Sequence, residues 1–121
     1  MRYRYVTASG RGPAWEYAVI TPENPLPQST NVSADPGVGQ ATLTWKNPND
    51  LRFFSSDIWE NTTATFGTAT KIISGYGGGL GELQSVIISP LSATTHYFWV
   101  VATDGALIAA IPAGPVSALV M

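Results

Sequence analysis

Between residue 28 and the C-terminus, apolar and polar positions alternate in short runs separated by turn residues. Ala41, Leu43 and Trp45 share one parity, with Thr42 and Thr44 between them. Successive side chains of a strand point to opposite faces, so this period of two predicts a half-buried strand. The same reading predicts strands at Thr30 to Ala34, Ser56 to Asn61, Ala69 to Ser74, Ser85 to Ser89 and Thr95 to Thr103. A final strand is split and ends in Val116 to Val120, after the break Pro112-Ala113-Gly114-Pro115. No segment carries a helical period. Thr, Val, Ile, Tyr and Trp dominate the runs, and turn residues punctuate them, as in an all-β sandwich or barrel.

Parity also assigns faces. Thr95, Tyr97, Trp99 and Val101 fall together on the longest run. The predicted core is Leu43, Trp45, Ile58, Val86, Ile88, Leu91, Tyr97, Trp99 and Val101. His96, Phe98 and Val100 then face outward, beside Trp59 of the neighbouring strand. Trp59, Phe98 and Val100 become a candidate interface, because aromatic side chains are enriched at binding hot spots. Either an N-terminal arm or a partner covers this face.

The N-terminal stretch reads differently. Residues 22–27 (Pro-Glu-Asn-Pro-Leu-Pro) hold three prolines in six positions and predict a semi-rigid linker. Residues 1–21 are expected to form a β-arm or hairpin, and 28–121 the main domain. Tyr3 to Gly10 resembles Phe98 to Gly105 in outline, and Gly12 to Val19 resembles Gly114 to Val120. Two strands of a second domain are one source of such a hairpin. Trp15 and Tyr17 of the arm join the candidate interface. The run Gly75-Tyr76-Gly77-Gly78-Gly79-Leu80-Gly81 is expected to be a mobile loop.

Composition narrows the class. The chain has 121 residues, enough for one core of ordinary size. Charged residues make up only 12%, against roughly 25% in ordinary soluble domains. A surface so poor in charge suits a subunit held in an assembly. The net charge of −2 does not favour nucleic acid as a partner. There is no cysteine, hence no disulfide or thiolate metal site. Residues 106–121 are apolar but broken by Pro112, Gly114 and Pro115, and too short for a span of about 20 residues. No signal peptide is recognised at the N-terminus, so synthesis in a cytoplasm is expected.

Candidate chemistry is sparse. His96 is the one histidine, and a surface position is expected for it. Asp35, Asp50, Asp57, Asp104, Glu60 and Glu82 are scattered, and turn and surface roles are expected for them. No Gly-x-Ser-x-Gly elbow occurs, and no Lys-Ser or Lys-Thr follows the glycine run. No catalytic residue, cofactor or metal site is predicted. Asn31-Val32-Ser33 and Asn61-Thr62-Thr63 match glycosylation sequons, which arise by chance in a Thr- and Asn-rich chain.

Three motifs together resemble a fibronectin type III domain over residues 28–121. They are Leu43-Thr44-Trp45, Ile58 to Thr63, and the series Leu91, Thr95, Tyr97, Trp99, Val101. The resemblance implies a seven-stranded immunoglobulin-like sandwich with Tyr97 at its corner-tyrosine position. The run Ile58 to Ala69 is further similar to fibronectin-type repeats of tailed-bacteriophage tail-tip and host-specificity proteins. That likeness implies a non-enzymatic virion subunit, many copies in an assembly, other virion proteins as partners, and contact with a host-surface glycan. Two rivals stand beside it. One is a carbohydrate- or receptor-binding module stacking sugars on Trp15, Tyr17, Trp59 or Tyr76; the other is a spacer domain of a secreted bacterial protein.

Overall fold

A computed structural model describes residues 26–106 and 108–121. The expected arm at 1–21 and most of the linker lie outside the described residues. Seven strands follow in order: β1 Thr30–Pro36, β2 Ala41–Lys46, β3 Phe53–Asn61, β4 Thr70–Tyr76, β5 Leu83–Ile88, β6 Thr95–Asp104 and β7 Ala113–Leu119. A single 3-10 turn, Phe66–Thr68, lies between β3 and β4. Two antiparallel sheets result, one ordered β1-β2-β5 and the other β4-β3-β6-β7.

The core lies between the sheets. Ala41, Leu43 and Trp45 enter from β2, Ile58 from β3, Ile88 from β5, and Phe98 and Val100 from β6. Ala118 and Val120 close it at the C-terminal end, with Val86 and Leu91 half-buried against it. The Trp45 indole N–H is satisfied by Asn47 Oδ1 at 2.9 Å. Burying that donor without a partner would be costly. A smaller cluster of Leu26, Phe53, Ala102 and Ala110 extends the core past one end.

β6 runs in the opposite register to the expected one. Phe98 and Val100 are wholly buried between the sheets, and Tyr97, Trp99 and Val101 sit on the outer face. The reason lies in pairing. Trp59 stands opposite Trp99, and Ile58 opposite Val100. Directly opposed residues share a face, so the inward Ile58 takes Val100 inward with it. Parity alone could not decide, because Phe98-Trp99-Val100-Val101 is apolar at both parities and buried on both faces.

The last strand starts earlier than expected and runs through Gly114-Pro115, with a register shift against Phe98 and Val100. Gly114 has φ +130, and a β-carbon there would stand 2.7 Å from the Phe98 carbonyl oxygen. Only glycine fits that approach.

The glycine run, expected to be mobile, is tied to the β2–β3 connection. Asn47 Nδ2 donates to the Gly79 carbonyl at 2.9 Å. The Gly81 N–H donates to Pro48 O and the Asn47 N–H to Glu82 O. At Gly78, φ +149, a β-carbon would meet the Gln84 and Asn47 side chains within 3 Å. The glycines here permit close approach as well as turning.

Candidate functional site

The outer face of the four-stranded sheet carries the aromatic groups. Trp59 and Trp99 face each other across β3 and β6. Phe66 lies over both, its ring centroid 5.2 Å from Trp59 and 5.6 Å from Trp99. Lys71 Nζ stands 5.5 Å from the Trp59 ring and 3.3 Å from Asp57 Oδ2. A cation over an indole face is attracted by the ring quadrupole. Asn61 holds the connection that delivers Phe66: its Nδ2 donates to Thr65 O and Thr68 Oγ1, both at 2.8 Å. That amide nitrogen is therefore engaged, which counts against the Asn61 sequon as a modification site.

Of the candidate interface residues, Trp59 is half-buried on this face. Phe98 and Val100 are not on it; both are core residues with no exposed surface. Trp15 and Tyr17 lie outside the described residues. Tyr76, a candidate for sugar stacking, packs its ring edge-on against Trp45 at 5.3 Å and donates its hydroxyl to the Ser85 carbonyl at 3.1 Å. Its ring serves the core.

His96 is likewise not a surface residue. It is 4% exposed, on the inner face beside Phe98, with 6.4 Å between ring centroids. Nε2 donates to the Ser92 carbonyl at 2.9 Å, and Nδ1 lies 2.5 Å from Glu60 Oε2. A corner tyrosine in such sandwiches ties the start of its strand to backbone a few residues upstream. Here His96 makes that tie, four residues back, and Tyr97 does not. The one-residue shift is the same register inversion seen along β6.

Four of the six described Asp and Glu side chains accept from backbone N–H groups. Asp50 accepts from the Arg52 side chain and backbone, and the Arg52 hydrogen bond lowers its pKa from 3.8 to about 2. Asp57 accepts from the Gly75 N–H, and Glu82 from the Gly79 N–H. Asp104 accepts from the Ala106 and Ile108 N–H groups in the β6–β7 loop. Among the described residues no three His, Asp or Glu side chains converge as metal ligands. No helix among them is long and apolar enough to cross a membrane.

Exposed apolar side chains that parity did not single out include Val38, Ile108 and Ile111, and two further places stand out. Leu51, 91% exposed, and Phe54 flank an open cleft of about 390 Å³ at one end of the sandwich. Leu83 and Ile87 stand out from β5. Leu83 to Ile88 could have flagged the second place in sequence, since it is an uncharged strand without Pro or Gly.

The sandwich aligns with an Fn3-like protein from Clostridium thermocellum at TM-score 0.65 and 16% identity, over 81% of this chain and 96% of that one. It also aligns with the chicken CNTN1 FN1–FN3 domains at TM-score 0.62 and 14% identity, over 77% of this chain and 31% of that chain. The fold is thus a fibronectin type III-like seven-stranded sandwich; at these identities the likeness concerns fold alone. No protein-family model matches the chain. No curated protein matches it either.

Proposed function

We propose that this chain is a non-enzymatic contact module, a structural subunit of a bacteriophage tail near the tip. One contrast carries the contact role. Most of the described acidic groups and the one histidine are engaged in holding turns and corners, while Leu51, Phe54, Leu83, Ile87 and Leu119 stand exposed. Chemistry needs polar groups free to meet a substrate; contact needs uncommitted apolar surface. The tail reading rests on the Ile58 to Ala69 run and on the low charge. Its partners are other virion proteins, in several copies, with a host-surface glycan as a further ligand.

A spacer or receptor-binding module of a longer bacterial protein fits the same fold equally well. Location separates the readings. An antibody to the chain should decorate the tail tip of purified phage particles in electron micrographs, and the chain should appear in their mass spectra. Finding it only in secreted or cell-wall fractions would replace the tail reading by the bacterial one. A reproducible catalytic activity lost in His96→Ala, with the fold intact, would overturn the non-enzymatic reading.

A further inference from the structure

β5 is the end strand of its sheet, and among the described residues no strand pairs with its far side. Edge strands are commonly blunted by charge, proline or a bulge. β5 has none of these: it reads Leu-Gln-Ser-Val-Ile-Ile and pairs with β2 without a register shift. Leu83 and Ile87 are 64% and 59% exposed.

Which backbone groups face away from β2 follows from parity. The Asn47 N–H donates to the Glu82 carbonyl, one step beyond the Lys46/Leu83 pair. Hydrogen bonding alternates along an antiparallel ladder. Gln84, Val86 and Ile88 therefore turn their backbone groups to β2, and Leu83, Ser85 and Ile87 turn theirs outward. A separate contact agrees, since the Ser85 carbonyl accepts from the Tyr76 hydroxyl of β4, a strand of the other sheet. A carbonyl oxygen has two lone pairs, so Ser85 keeps one for a ladder bond.

We propose that this edge pairs antiparallel with the same edge of a second copy of the chain, about a two-fold axis at Ser85. The inference names one partner for the contact role proposed above and rests on it. In this register Ser85 opposes Ser85, and Leu83 of each copy opposes Ile87 of the other. All three outward residues then fall in hydrogen-bonded pairs, and the exposed Leu and Ile become cross-strand neighbours. A slip by one residue would set inner-face side chains opposite outer-face ones. A slip by two would strand Leu83 or Ile87. Neither copy brings a charge to the ladder, so like charges do not oppose. Beneath the edge, a cleft of about 240 Å³ between β4 and β5 exposes Ile72, Ile73 and Leu91 on the same side. One short edge falls below the roughly 1,200 Å² of a stable interface. The pairing is therefore weak for free chains and strengthened where copies are held together.

The chain contains no cysteine, so introduced thiols report cleanly. In full-length Ser85→Cys the two-fold sets the Cα atoms about 5.5 Å apart, within disulfide reach. Covalent dimer should form about tenfold faster or more than in Leu119→Cys, an exposed site on the other sheet. Leu83→Cys and Ile87→Cys should each link slowly alone and quickly when mixed. In sedimentation the unmodified chain should dimerise as its concentration rises. Ile87→Lys should abolish this without changing thermal unfolding in dilute solution. Equal linking rates at Ser85→Cys and Leu119→Cys, or a monomer up to millimolar protein, would overturn self-pairing. Either result leaves a contact role with another partner standing, whereas absence of the chain from phage particles would remove the tail role and leave self-pairing untouched.

Discussion

The two faces of β6 are both buried, but by different means. Its inner face, His96, Phe98, Val100 and Ala102, is closed largely by a second sheet whose hydrogen bonds fix it in place. On its outer face, Trp99 lies beside Trp59 and packs against the loop residue Phe66, with the backbone close by at Gly114. A sheet cannot follow a side chain that shrinks, and a three-residue turn can. Equal burial therefore implies unequal energetic weight, because the cost of a truncation depends on how well its surroundings collapse.

The largest expected effect is at Phe98. Phe98→Ala should cost about 3–5 kcal/mol in urea unfolding, enough to unfold a marginal domain. Trp99→Ala, though it deletes a larger group, should cost less than Phe98→Ala, about 3 kcal/mol or under. If the order were reversed, the loop would be as rigid a wall as the sheet, and the contrast between the faces would fail.

His96→Ala comes next. It strips the Ser92 carbonyl and the Glu60 carboxylate of a shared partner. Glu60 keeps partial access to water, so the loss should be about 2–3 kcal/mol rather than that of a fully buried pair. Amide exchange should quicken first around residues 91–97, where the imidazole ties the corner. An unchanged exchange pattern would mean that the corner is held by packing alone.

Phe66→Ala tests the outer wall directly. The ring is half-buried, and its loss should cost about 1–2 kcal/mol. It should also shift tryptophan fluorescence to the red as Trp59 and Trp99 meet water. The same change in Phe98→Ala without global unfolding would blur the distinction.

These residues also mark where the sequence can be read. The strands, their order and the inward set of β2 follow from parity, because each carries polar groups on one face. β6 carries apolar groups on both faces, and parity is then silent about direction. The pairing of Trp59 with Trp99 carries that information, and pairing is a long-range property. Phe66 was hidden for the same reason: nothing in Thr65-Phe66-Gly67 says that the loop folds back over the sheet. Parity alone assigns His96 to the surface, whereas the inverted register of β6 puts it at the corner. The same step places Phe98 and Val100 outward, whereas both are core residues.

The smallest expected effect is at the turn before β3, beside the C-terminal end of β6. Asp50 accepts from both the Arg52 side chain and the Arg52 N–H, and its pKa is lowered from 3.8 to about 2. A carboxyl depressed on folding adds stability that is present above its unfolded value and lost as pH falls through the folded one. The gap between the parent and Asp50→Asn should thus be constant from neutral pH to about 5, fall steeply below about 4, and vanish as pH drops below about 2. The turn is open to water, so the gap should also narrow in high salt, as a screened surface pair does. Urea midpoints across that range would show it. A gap as large at pH 2 as at neutral pH would assign the effect to the shape of the side chain, and the turn would owe nothing to charge.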